Sequence, residues 1–263
     1  MLGQFLDPLA DKLFVLGVLV FLSARGRVAE WYRGTADAVL QNMTVIDRAA
    51  DDIVSIMDHL KLDTAHIVGL SMGGFATLHF GIRHPKRGRS LVVAGCGYGA
   101  EKEQAAKFKG EAAIVSKTLL GEGMKAFAEK YAYGPTRVQF ENKDPRGFAQ
   151  FKAELGEHSA LGSANTQIGV QGERPSLYDL VEDMRRLTVP TLVLTGDEDW
   201  PCLAPSVLMK REIPSAALSV MPNCGHTINL EDPDQFNRIV GDFIGQVEAG
   251  RWPKRDQIGR AHV

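Results

Sequence analysis

From residue 46 onward the apolar positions recur with two alternating periods. Residues 46–60 (IDRAADDIVSIMDHL) place Ile46, Ala49, Ile53, Ile56, Met57 and Leu60 on one face, which predicts an amphipathic helix. A short continuous apolar run follows at 66–70 (HIVGL), then SMGG, then a helical pattern over 73–83 that stops before Pro85. Further apolar runs stand at 90–94 (SLVVA), 191–195 (TLVLT) and 217–221 (ALSVM). Over 233–247, Phe236, Ile239, Val240, Phe243 and Ile244 return at helical spacing. Near-continuous apolar strands alternating with helices predict a mostly parallel α/β sheet covered on both faces.

Between 97 and 187 the strand pattern stops. Helical patterns over 102–120, 124–131, 147–157 and 177–187 are separated by Gly- and Asn-containing breaks. The sheet pattern resumes after them, so this stretch reads as an inserted helical cap on a core formed by 44–96 and 188–248. Residues 251–263 are basic and without period, which predicts a tail.

The first 33 residues follow neither rhythm. Residues 13–22 are an unbroken apolar run, expected to form an apolar helix but too short for the roughly 20 residues that cross a bilayer. The stretch before it holds Asp7 and Asp11 against a single Lys12, which is the wrong charge for a secretory leader. Gly3, Asp7 and Asp11 form G-x3-D-x3-D; Asp7 before Pro8 also suits the start of a helix. The string GQFLDPLADKLFVLGVLVFL resembles the second half of the signature of the CDP-alcohol phosphatidyltransferases, in which the two aspartates help bind a divalent metal. The first half, D-G-x2-A-R, is absent, so the resemblance implies a fused fragment without transferase activity.

Composition narrows the function. The 263 residues carry 30 Lys+Arg against 32 Asp+Glu and are 44% hydrophobic, which excludes a disordered chain and a general basic field for nucleic acid. Cys96, Cys202 and Cys224 are too few and too scattered for a disulfide framework or a structural zinc site. Three free thiols fit a reducing, cytoplasmic setting.

One motif carries chemistry. Gly69-Leu70-Ser71-Met72-Gly73 is G-x-S-x-G, placed where an apolar strand ends and a helix opens. A sharp strand–turn–helix there lifts a serine hydroxyl out of the sheet, and Gly69 and Gly73 allow the close backbone approach. A serine nucleophile needs a base and an orienting acid. Asp199 follows one predicted strand and His226 the next, both at strand ends, in the chain order Ser, acid, His. Asp197 and Glu198 are rival acids. Asp199 is favoured because two further residues let the turn return its carboxylate over the sheet. The backbone N–H of Met72 is the expected oxyanion donor.

Here a second resemblance covers residues 44–247. IVGLSMGG is similar to the nucleophile elbow of the α/β-hydrolases, TVPTLVLTGDED to their acid turn and NCGHTINLEDP to their histidine loop. HSALGSA and GVQGERPSLYDL resemble an esterase-type branch. The resemblance implies a Ser71–His226–Asp199 triad that hydrolyses a small-molecule carboxylic ester through an acyl-enzyme, with no cofactor and no metal. Lactonases, C–C hydrolases and haloperoxidases share that fold and triad. A full member also has several strands ahead of the nucleophile strand, and a His-Gly loop that supplies a second oxyanion donor. No His-Gly precedes Ser71. The early strands are therefore expected to be missing or replaced, the enzyme to be weak, the nucleophile strand to become a sheet edge, and the chain to form a homo-oligomer through that edge or the N-terminal apolar run.

Overall fold

The computed structural model describes residues 18–21 and 46–254. A five-stranded sheet runs in the order β1 (Val18–Phe21), β2 (Ala65–Leu70), β3 (Gly88–Ala94), β4 (Thr191–Gly196), β5 (Ala216–Met221). Strands β2 to β5 are parallel, and β1 is antiparallel to β2, with Val18 opposite Gly69 and Phe21 opposite His66. Two expectations are corrected here. Residues 18–21 form a strand where the apolar run predicts helix; the rest of 1–33, with Asp7 and Asp11, lies outside the described residues. The nucleophile strand β2 is not an edge, because β1 occupies its outer side.

Burial on two faces explains why β2, β3 and β4 read as unbroken apolar runs. Successive side chains point to opposite faces. Ile67, Leu91, Val93 and Val193 enter one core with Ile53, Met57, Phe75 and Leu78. Val68, Val92, Leu192 and Leu194 enter the other with Met221, Val240 and Phe243. The first core is roofed by α1 (Ile46–His59) and α2 (Met72–Arg83), and the second by the terminal helix Pro233–Glu248. That terminal helix starts on Asp232, whose carboxylate accepts from the Gln235 N–H at 3.0 Å, with Pro233 in the first turn. Surface pairs pin α1 to the far end of α2: Asp51 meets Arg83 at 3.0 Å and His84 at 2.8 Å.

The cap departs after β3 and returns before β4. Its first helix, α3 (Ala105–Tyr131), breaks at Gly123, where φ is +82°. Then come α4 (Val138–Lys143), α5 (Pro145–Leu155), α6 (Ala160–Thr166) and, beyond short helical turns, α7 (Val181–Arg186). Leu119, Met124, Phe140, Phe148 and Phe151 form a separate apolar cluster within it. The remaining helices are α8 (Trp200–Glu212), the single turn α9 (Ile228–Glu231) and α10, the terminal helix already described. No helix of the described residues is long and apolar enough to cross a membrane.

The tail begins later than its composition predicts. Trp252 meets Phe243 edge-to-face, with ring centroids 4.6 Å apart, and donates its indole N–H to the Ser215 carbonyl at 2.8 Å.

Candidate active site

Strand β2 ends at Leu70, and the chain reverses into α2 through Ser71 at φ +57°, ψ −116°. A serine rarely adopts positive φ, so the turn stores strain that the surroundings must hold. They do so through backbone contact. The Ser71 N–H donates to the Ala94 carbonyl at 2.8 Å. A Cβ on Gly69 would fall under 3 Å from the Gly73 carbonyl and the Thr77 hydroxyl, so only glycine fits there. Met72 is the first residue of α2, and the first N–H groups of a helix have no partner within it. The positive end of the helix dipole therefore lies at the serine.

The three consecutive acids after β4 separate cleanly. The Asp197 carboxylate accepts from the Cys224 N–H at 3.0 Å. Glu198 is exposed and accepts from the Gln139 side chain of the cap at 2.8 and 2.9 Å. Asp199 is 1% exposed, and its Oδ2 lies 2.8 Å from Nδ1 of His226. The first two acids lace the acid turn to its neighbours; the third reaches the imidazole. His226 is 15% exposed at its side chain and lies over Gly95, where a Cβ would come within 3.4 Å of Cε1. Gly95 directly follows Ala94, the residue that binds the Ser71 N–H. Ser71, Asp199 and His226 thus stand at the ends of β2, β4 and in the loop after β5, on one rim of the sheet.

This arrangement suits the His226 imidazole to acid–base work. With Nδ1–H held by a buried carboxylate, Nε2 is left as the acceptor. Asp199, Cys202 and His226 also bring three ligand-type atoms within 4.8 Å of one another. His226 Nδ1 already serves Asp199, and burial raises the Cys202 thiol well above its ordinary range, so these groups are engaged with one another.

Residues 14–239 match the model of the alpha/beta hydrolase family. The chain belongs to that family. The match opens inside the apolar run whose sequence resembles the transferase signature. This alpha/beta hydrolase is 26% identical, over 76% of its length and 73% of the relative's, to a putative 2-succinyl-6-hydroxy-2,4-cyclohexadiene-1-carboxylate synthase of Bacillus subtilis. It is 30% identical to the 2-hydroxymuconate semialdehyde hydrolase of Pseudomonas putida, over 77% of this chain and 70% of that one. Among solved structures, MenH from S. aureus superposes with a TM-score of 0.72 at 21% identity, covering 79% and 78% of the two chains. A thermophilic esterase from Thermogutta terrifontis superposes at 0.68 and 24% identity, covering 79% and 74%. Both likenesses speak to the fold.

Some neighbours of the alpha/beta hydrolase site carry no strong sequence signal. Cys96 and Cys224 are the thiols whose position in the chain suggests a pocket lining. In the structure Cys202 lies beside the acid, Cys96 is fully buried against Gly74, and Cys224 accepts from Lys143 at 3.3 Å. Burial pushes all three thiols up. A cleft of about 400 Å³ opens between α3 and the loop after β3, lined by Tyr98, Glu101, Gln104, Lys107, Phe108 and Pro201. Its lining omits Ser71 and His226, yet Pro201 stands two residues past Asp199, so the cleft adjoins the acid turn. Glu231 is the residue with no forewarning beyond its place in the LEDP string; it is buried beneath the His226 loop.

Proposed function

We propose that this alpha/beta hydrolase is a serine hydrolase that cleaves small carboxylic esters through an acyl-enzyme. The observation that carries the reading is the 2.8 Å contact between His226 Nδ1 and buried Asp199, on the same rim as the strained Ser71 turn. In this reading Ser71 Oγ attacks the ester carbonyl while His226 Nε2 takes its proton. Asp199 fixes the tautomer and stabilises the imidazolium. The Met72 N–H meets the oxyanion. His226 then returns the proton to the leaving alcohol, and a water repeats the sequence on the acyl-enzyme. Met72, at the start of α2, is the donor assigned.

The test is hydrolysis of short-acyl p-nitrophenyl esters, abolished in Ser71→Ala. Unchanged turnover in that variant would reject the nucleophile. The identity to a 2-hydroxymuconate semialdehyde hydrolase favours a second reading, C–C bond or lactone hydrolysis by the same three residues. Turnover of a lactone or a C–C substrate, with esters left intact, would select it. The reading uses no metal or cofactor and gives Asp7 and Asp11 no role. Three buried free cysteines support a cytoplasmic, reducing setting.

A further inference from the structure

The loop that carries His226 has three consecutive backbone N–H groups, and each is captured. The His226 N–H itself donates to the Thr136 carbonyl of the cap at 2.9 Å. The amides on either side converge on one carboxylate. Glu231 Oε2 accepts from the Gly225 N–H at 2.6 Å, and Oε1 accepts from the Thr227 N–H and the Thr227 hydroxyl, both at 2.8 Å. The turn α9 makes this possible: the Leu230 and Glu231 N–H groups bond back to the Thr227 carbonyl at 2.8 and 2.9 Å, folding the carboxylate under the loop. Glu231 is 5% exposed, and no Lys or Arg pairs with it among the described residues. A buried carboxylate without a cationic partner is costly unless donors replace its water. Here three donors do so, all from the residues flanking the base.

We propose that Glu231 is the positioning residue of the base: it clamps the loop on both sides of His226 and so sets where the imidazole stands between Asp199 and Ser71. The proposal rests on His226 being the base. Glu231 touches no reacting atom and acts through His226 alone. A glutamine here keeps one acceptor for the two Thr227 donors but turns an NH₂ group toward the Gly225 N–H, freeing one half of the clamp. Alanine frees both.

The experiment is a double-mutant cycle on ester turnover in the full chain, with Glu231→Gln and Glu231→Ala each made in the wild-type and His226→Ala backgrounds. Misplacing a catalytic group by about 1 Å can cost about 10²-fold. The expected result is a fall in kcat of about 100-fold for alanine and about tenfold for glutamine, with KM held within about twofold. In the His226→Ala background the same substitutions cost less than about twofold in residual turnover, because the group being positioned is gone. Melting temperature is read alongside; should the alanine variant fail to fold, the glutamine arm carries the test. Equal losses in both backgrounds, or wild-type kcat in Glu231→Gln, would overturn the proposal. Wild-type turnover in His226→Ala would instead overturn the base, and the clamp with it.

Discussion

The acid turn offers three carboxylates in a row, and the geometry assigns them different work, so substituting each in turn discriminates sharply. In Asp199→Asn the shape of the site is retained. An amide facing His226 Nδ1 can present its NH₂, which leaves Nδ1 the acceptor and moves the ring proton to Nε2. The imidazole then cannot take the serine proton. Loss of the correct tautomer in this way is worth about 10⁴ in kcat, or about 5.4 kcal/mol at 1.36 kcal/mol per tenfold. Asp197→Asn weakens one bond to the Cys224 N–H at 3.0 Å, worth about 0.5–1.5 kcal/mol of stability, and leaves kcat within about tenfold. Glu198→Gln alters an exposed contact with Gln139 and changes stability by less than about 0.5 kcal/mol. Steady-state ester hydrolysis and urea unfolding of the three variants, side by side, make the comparison. Asp199→Asn within tenfold of the wild type, or Asp197→Asn falling as far as Asp199→Asn, would refute the assignment.

Other consequences are separable from catalysis. Gly69→Ala sets a Cβ against backbone that cannot rotate away, so it should destabilise by about 3 kcal/mol or more, read as a lowered urea midpoint; a wild-type midpoint would show that α2 can shift. His66 sits on β2 between Ser90 Oγ (2.7 Å) and Glu248 (2.9 Å), and burial lowers its pKa from 6.5 despite the pull of Glu248 in the other direction; Arg89 adds to the lowering. The folded chain thus holds fewer protons there than the unfolded chain, so stability is full above the ordinary histidine range and falls as pH drops through it. Urea midpoints from pH 8 to 5.5 should decline more steeply for the wild type than for His66→Gln, and parallel declines would count against it. We propose self-association through an exposed sheet edge or the N-terminal apolar run, which predicts a light-scattering mass above one chain; a monomer mass independent of concentration would dismiss it.

What could be read from the sequence follows from where the determining contacts lie. Strands β2 to β4 are buried on both faces, so their apolar runs announce them, while β5 is only partly buried. Ser71, Asp199 and His226 could be picked out because chain order and strand ends restrict them. Turn length alone favours Asp199 over Asp197 and Glu198; the bonds to Cys224 and Gln139 engage the other two elsewhere. Strand β1 was illegible for a physical reason. A continuous apolar run has the same pattern in a helix and in a buried strand, and only pairing with β2 decides it. Trp252 hides in a basic, aperiodic stretch because its anchor is Phe243, nine residues back on another turn of chain. Glu231 was equally hidden: nothing local says that α9 folds its carboxylate back beneath His226.

The central claim is that Ser71 is a nucleophile activated by His226. Incubating the folded chain with a fluorophosphonate and mapping the adduct by peptide mass spectrometry tests it directly. The account predicts one covalent adduct, on Ser71, that is lost in Ser71→Ala and slowed by orders of magnitude in His226→Ala. An adduct on another residue, or labelling of Ser71 at an undiminished rate without His226, would contradict it.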